Sequence, residues 1–247
     1  MTFLHVHNVS HHFFTEKDVT TALRDIHFTL EEGEFVAFLG PSGCGKSTLL
    51  SIIAGLLSPT EGELRFSQES PEIGYMLQQD FLFPWKTIED NVALGLTILK
   101  RSPSPIVDPL LENFELSHTK KLYPTQLSGG MRQRIALART LVVNPSLLLL
   151  DEPFSALDFR SKLMLENFVA KTLQHFKTTT ILVTHDISEA IAMSDKIFIF
   201  SPRPGTITQC FVVPEAIRKL PPLDARNDPL FQSLFQTIWK ELERDES

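Results

Sequence analysis

Cysteine, tyrosine and tryptophan are scarce in this chain, with two of each in 247 residues. Cys44 and Cys210 provide no disulfide framework, and the opening Met1-Thr2-Phe3-Leu4-His5 carries no secretory signal, so a reducing cytosol is the expected compartment. No apolar run reaches the roughly 18 residues that a membrane span requires, so work at a membrane would need a separate embedded partner. Basic residues are outnumbered, with 23 Lys and Arg against 30 Asp and Glu and a net charge of -7. That balance argues against the clustered cationic face needed to hold nucleic acid. Internal repeats and low-complexity tracts are also missing. What remains, 43% hydrophobic and 21% charged, describes a single globular domain over 1–247 with an ample core.

Patterning divides that domain. Apolar residues alternate at Leu4, Val6 and Val9, at Ile26, Phe28 and Leu30, and from Phe35 to Leu39, predicting short strands broken at His11-His12 and at Glu31-Glu32-Gly33. Helical spacing follows from Lys46 to Leu56, with a stop at Gly55 and Pro59. Strand-like pieces at Glu63 to Phe66 and Ile73 to Leu77 precede helical patterns at Thr87 to Lys100 and Pro109 to Leu116, with Arg101 to Pro105 as a turn. We read about 80–141 as a helical subdomain inserted in an α/β core. From Leu147 onward strands and helices alternate: a strand to Asp151, a helix over Phe159 to Phe176, a strand over Thr179 to Thr184, a helix from Ile187 to Met193 and a strand from Lys196 to Ser201. This is the rhythm of a mainly parallel sheet covered by helices. A proline-punctuated tail, about 202–247, ends in an amphipathic helix whose Leu230, Phe231, Leu234, Phe235, Ile238, Trp239 and Leu242 form one stripe. Packing back on its own domain is the favoured reading over a partner contact.

Gly40-Pro41-Ser42-Gly43-Cys44-Gly45-Lys46-Ser47-Thr48 fits G-x-x-x-x-G-K-S between an apolar strand and a helix. Glycines let backbone N–H groups approach phosphate oxygens, and the helix N-terminus favours the anion. Lys46 can pair with the β- and γ-phosphates while the Ser47 hydroxyl ligates Mg²⁺. Cys44 lies near that helix start, where thiol pKa values fall, so its alkylation should block nucleotide binding. Leu147 to Leu150 delivers Asp151-Glu152 at the end of a buried strand. Two further motifs follow: Leu127-Ser128-Gly129-Gly130-Met131-Arg132-Gln133-Arg134, and Thr184-His185-Asp186 at the end of the next strand. Taken alone, Ser-Gly-Gly before a helix is equally a capped loop, and a lone histidine is more often structural.

In this order the motifs resemble those of ABC-transporter ATPases, over Leu4 to about Ile207. The resemblance implies a P-loop NTPase (ABC ATPase) core with a mainly parallel sheet, an N-terminal antiparallel β part and an inserted α-helical subdomain, using ATP and Mg²⁺. It makes Glu152 the catalytic base, with Asp151 reaching Mg²⁺ through water. His185 becomes the γ-phosphate switch, and Gln78 a ligand of Mg²⁺ or water, with Gln79 leaving the register open. Phe13, or Phe14, would stack on adenine unless it serves the core. Ser155-Ala156-Leu157-Asp158 is similar to the D-loop at the dimer interface. Ser128, Gly129 and Gly130 would meet the γ-phosphate held by a second copy, so that ATP closes a homodimer.

Asp80-Phe81-Leu82-Phe83-Pro84-Trp85 is apolar for a loop. The resemblance implies a groove there for a membrane permease, with at least one aromatic filling the subdomain core. LSGGMRQR, DEPFSALD and THDISEAI, with the turn from Ser201 to Gly205, look like the ATPases of bacterial importers for nitrate, sulfonates including taurine, or thiamine precursors. Such a subunit sits on the cytoplasmic face of the membrane, peripheral through its permease, with a solute-binding protein as an indirect partner. The alternatives are an ABC ATPase acting in cluster assembly or on another macromolecule, and a P-loop kinase or GTPase. The last leaves LSGG unexplained and lacks Asn-Lys-x-Asp.

Overall fold

The computed structural model describes residues 1–15, 18–155 and 157–245. Its elements in chain order are β1 (Thr2–Phe14), β2 (Val19–Glu31), β3 (Phe35–Leu39), α1 (Lys46–Ile53), β4 (Glu61–Phe66), β5 (Ile73–Met76), α2 (Ile88–Val92), α3 (Leu94–Ile98), α4 (Ser104–Asn113), α5 (Gly129–Leu141), β6 (Leu147–Asp151), α6 (Phe159–Phe176), β7 (Thr179–Thr184), α7 (Ile187–Met193), β8 (Lys196–Phe200), β9 (Ile207–Val212), α8 (Glu215–Arg218), α9 (Pro222–Ala225) and α10 (Pro229–Asp245). Three antiparallel strands are ordered β2-β1-β4, and a six-stranded sheet is ordered β5-β6-β7-β3-β8-β9. Among the described residues, the larger sheet has parallel pairings except for β8–β9, which is antiparallel.

The period of two along each central strand explains why that sheet carries two cores. Leu148, Leu150, Leu182 and Ile199 join one cluster with α5, α6, α7 and the helices after β5. Leu147, Leu149, Ile181 and Phe200 join the other, with α1 and the antiparallel sheet. The run Leu147 to Leu150 is therefore fully buried, and its flat apolar pattern follows from having no solvent face.

Several boundaries depart from the sequence reading. Neither β1 nor β2 breaks at His11-His12: β1 continues to Phe14, paired as His12 with Thr21 and Phe14 with Val19. Register shifts, with Asn8 and Asp25 at positive φ, absorb the irregular pattern within the ladder. The stretch from Thr87 to Lys100 is two short helices joined at Ala93. The expected turn is non-helical only over 101–103, and α4 takes in Ser104 and Pro105, since proline in a first helical turn lacks only an N–H that would be unpaired there. The tail opens with a strand, β9, which pairs along β8.

The stripe on α10 packs inward as favoured, with Phe231 and Ile238 buried and Leu234, Phe235 and Leu242 half-buried. Trp239 at its edge stays 51% exposed, stacked beside Phe235.

α9 is tied to α6 by a buried ion pair, Arg226 Nη2 to Glu166 Oε2 at 2.5 Å, with Glu166 0% exposed. Burial pushes the Glu166 carboxyl from 4.5 up to about 7, against the pull of Arg226. An acid raised in this way binds its proton more firmly when folded. Its contribution to stability is present below pH 4.5 and is lost as pH rises through about 7. Glu166→Gln should therefore flatten the stability profile over that window in urea titrations, and an unchanged slope would refute the assignment. Arg226→Ala removes the pull that opposes burial, so the Glu166 carboxyl should stay protonated at neutral pH, and loss of the buried hydrogen bond should cost about 1–3 kcal/mol.

Candidate functional site

β3, β6 and β7 are adjacent, parallel and in register, with Leu39 beside Thr184 and Asp151 beside Val183. Their C-terminal ends carry Gly40, Asp151-Glu152 and His185 to one edge of the sheet, where the loops of an open α/β fold form a ligand crevice. After β6 the backbone turns at once, with Glu152 at φ +45°.

The Glu152 carboxylate is held from two sides. Gln78 Nε2 donates to Oε2 at 3.2 Å, and His185 Nδ1 lies 3.3 Å from Oε1. Asp151, 7% exposed, accepts from Ser47 Oγ at 3.0 Å and from the Tyr75 hydroxyl at 3.4 Å. Burial, and then the neighbouring charge of Glu152, push the Asp151 carboxyl above its ordinary value, while Ser47 and Tyr75 oppose the shift. The Tyr75 phenol is itself pushed up to about 12 by burial and by Asp151, so it remains a donor.

The loop from Gly40 to Gly45 leads into α1, and Lys46 is buried inside it. Its Nζ donates to the Gly40 and Pro41 carbonyls, both at 2.8 Å, and lies 3.4 Å from Cys44 Sγ. Gly45 has φ +111°, and a Cβ there would lie 2.7 Å from the Ala22 carbonyl oxygen. Ser42, Gly43 and Ser47 are exposed and Thr48 is half-buried, which leaves the loop's outer rim open to a ligand. Cys44 is 1% exposed, which corrects the expectation of an alkylatable thiol in this loop. Cys210 is the exposed cysteine.

Ser128 caps α5, accepting from Met131 N at 3.3 Å. Gly129 lines a cleft with Gln78, Asp80, Arg132 and Leu157. Among the described residues no hydrogen bond joins Ser128, Gly129 or Gly130 to Lys46. Asp158 caps α6 through Ser161 N at 3.1 Å; Ala156 lies outside the described residues. Phe13 and Phe14 are both exposed, with Phe13 edge-on to His11 at 4.7 Å.

Between Gln78 and α2, Phe81 and Trp85 are exposed and Phe83 is half-buried against Trp85. None is fully buried; Leu82 goes inward instead, which corrects the expectation of an aromatic in that core. Motif reading missed the arginines that clamp this loop to α5. Arg132 Nε meets Asp80 Oδ2 at 2.9 Å, and Arg139 donates to the Asp80 and Phe81 carbonyls. Their regular spacing on a helix was a visible signal, but their targets were not. Lys162, also missed, bridges α6 to the segment after His185 by pairing with Asp186 at 2.7 Å and with Glu189.

The geometry of strand, loop and helix with a capped Ser-Gly-Gly helix start is matched by comparison. The model of the family described as "ABC transporter" matches residues 23–155. The chain belongs to the ABC transporter family. It is 60% identical to an uncharacterized ABC transporter ATP-binding protein, YtlC, of Bacillus subtilis, over 98% of this chain and 96% of that one. The aliphatic sulfonates import ATP-binding protein SsuB of Bacillus licheniformis is 42% identical, over 92% and 89%. Among solved structures, the ATP-binding cassette MJ0796, a dimer in a post-hydrolysis state bound to ADP and Pi, superposes with a TM-score of 0.75 at 31% identity, covering 85% of this chain and 99% of that one. The chain is thus an ABC-type ATPase.

Within this cassette the turn after β8 braces the phosphate loop, a role the sequence reading left unassigned. Gly205 N donates to the Ala22 carbonyl at 3.0 Å, and Arg203 Nε to the Gly43 carbonyl at 3.2 Å. A Cβ on Gly205 would lie 2.1 Å from the Cys44 carbonyl oxygen, so an added methyl must displace the loop. We expect Gly205→Ala to weaken ATP binding roughly tenfold or more, because positioning of backbone donors is lost. Equilibrium dialysis with labelled ATP measures this, and unaltered affinity would dismiss the bracing role.

Proposed function

We propose that this chain is the ATP-hydrolysing subunit of a bacterial importer and works as a homodimer that two ATP molecules close. The observation that carries the reading is Glu152 suspended between Gln78 and His185, next to the Asp151–Ser47 pair. A carboxylate held there can accept the proton of an attacking water. His185 then faces the γ-phosphate and reports its presence, while Gln78 couples the site to the loop before α2.

The Ser47 hydroxyl and the Asp151 carboxylate stand 3.0 Å apart, an oxygen donor set of the kind a hard divalent cation takes. That fits Mg²⁺ held by Ser47 and Gln78, with Asp151 reaching it through water. Bound there, the ion would neutralise charge on the β- and γ-phosphates. Lys46 would exchange its loop carbonyls for phosphate oxygens, joined by backbone donors from Gly40 to Thr48. Phe13 would stack on adenine.

Ser128, Gly129 and Gly130 present a helix N-terminus that their own chain leaves without an anion. Offered to a second copy's ATP, with Asp158 at the interface, they make each site depend on both subunits. Among the described residues no helix is long and apolar enough to cross a membrane. The exposed Phe81 and Trp85 supply the surface for a permease helix, and through it the chain would sit peripherally on the cytoplasmic face. Likeness to SsuB supports an aliphatic sulfonate as solute, delivered to the permease by a solute-binding protein.

Glu152→Gln should lower ATP turnover about 10²- to 10⁴-fold yet yield an ATP-dependent dimer in size-exclusion mass measurements. Adding Ser128→Arg should return that variant to monomer with ATP still bound. A monomer with Glu152→Gln alone, in the presence of its permease, would refute the shared site. Trp85→Asp should abolish co-purification with the permease while ATP binding persists, and retained co-purification would remove this groove from the docking surface.

A further inference from the structure

At the opposite end of the sheet from the nucleotide edge, a cavity of about 620 Å³ opens between the C-terminal ends of α6 and α7, the start of β3 and the segment Arg218–Pro222. Phe35, Leu173, Met193 and Leu220 give part of its wall an apolar character, beside the polar Asn167, Gln174, Thr178 and Ser194. Its charged lining is almost all of one sign, with Lys171, Lys177, Arg218 and Lys219 against Asp195. That inverts the net charge of -7 carried by the whole chain.

The acids at hand are already committed. Asp195 Oδ2 accepts Phe35 N and Oδ1 accepts Arg218, both at 2.8 Å. Glu215 pairs with Lys219 at 2.7 Å. Lys171 and Lys177 take part in no ion pair among the described residues, and both are exposed at the cavity mouth. Two cations without an ion-pair partner beside a partly apolar wall, in a volume suited to a small molecule, select a ligand with an anionic head and an apolar body. A bare inorganic ion would leave the walls uncovered, and a neutral aliphatic would leave the ammonium groups without a partner.

We infer that this cavity binds a small amphipathic organic anion, its head between Lys171 and Lys177 and its apolar body against Leu173, Met193 and Leu220. The inference does not depend on which solute is transported. The elements that end at the cavity begin at the nucleotide edge: α6 follows Asp158, and α7 follows His185-Asp186. A ligand bridging α6 to the Arg218–Pro222 segment would therefore act on helices that lead back to the ATP site.

Calorimetric titration with 1-hexanesulfonate tests this, using the intact chain with saturating ADP so that the phosphate loop is occupied. Saturable one-to-one binding is expected, weakening roughly tenfold or more in Lys171→Glu/Lys177→Glu and falling as salt is raised. Inorganic sulfate and 1-hexanol should each bind far more weakly than hexanesulfonate. Absence of saturable binding, or equal affinity in the double variant, would overturn the site. Sulfate matching hexanesulfonate would reduce it to an ion contact only, and hexanol matching it would remove the cations from recognition; either overturns the ligand class. ADP affinity, measured in parallel on the double variant, should be unchanged, which separates failure of this cavity from failure of the ATPase reading.

Discussion

The parallel register of β6, β7 and β3 is the constraint on which the rest of the molecule depends. In a parallel sheet every strand ends on the same side, so three sequence-distant turns arrive at one edge without any long-range contact being built for that purpose. Gly40, Asp151-Glu152 and His185 are neighbours because Leu39, Asp151 and Thr184 are near-neighbours in one ladder. The two apolar clusters on either face hold that register, since a one-residue slip would exchange the faces of every strand.

Around that edge the protein spends polar groups on position. Lys162 fixes the segment after His185, the arginines of α5 fix the loop after Gln78, and the turn at Gly205 fixes the phosphate loop from behind. The basic residues near LSGG thus serve local packing: Arg134 covers the Phe168 ring at 4.9 Å. The loop after Gln78 is tied directly to α5, because Asp80 and Phe81 are bonded to Arg132 and Arg139.

Motifs bound to a local backbone conformation were legible. The phosphate loop needs its glycines and its helix start within nine residues, so strand, loop and α1 could be read directly, as could β6, β7, α6 and α7. Reading failed where a neighbour decides the outcome. His11-His12 stayed in a strand because β2 pairs alongside. Ile207–Val212 became a strand because β8 offered an edge. Leu82 rather than Phe81 or Trp85 turned inward, a choice made by the packing of α2 and α5.

Sequence alone determined the family and most of the order of elements, and it named the candidate residues for a triphosphate, because each of those depends on residue types a few positions apart. Only the tertiary structure decided that Tyr75 backs Asp151, that Gly205 backs Cys44, that Arg226 pairs with Glu166 and that Lys171 and Lys177 line one partly apolar cavity. These are pairings across many residues. A linear pattern carries no distance between groups that far apart, and chain closure by the sheet supplies it.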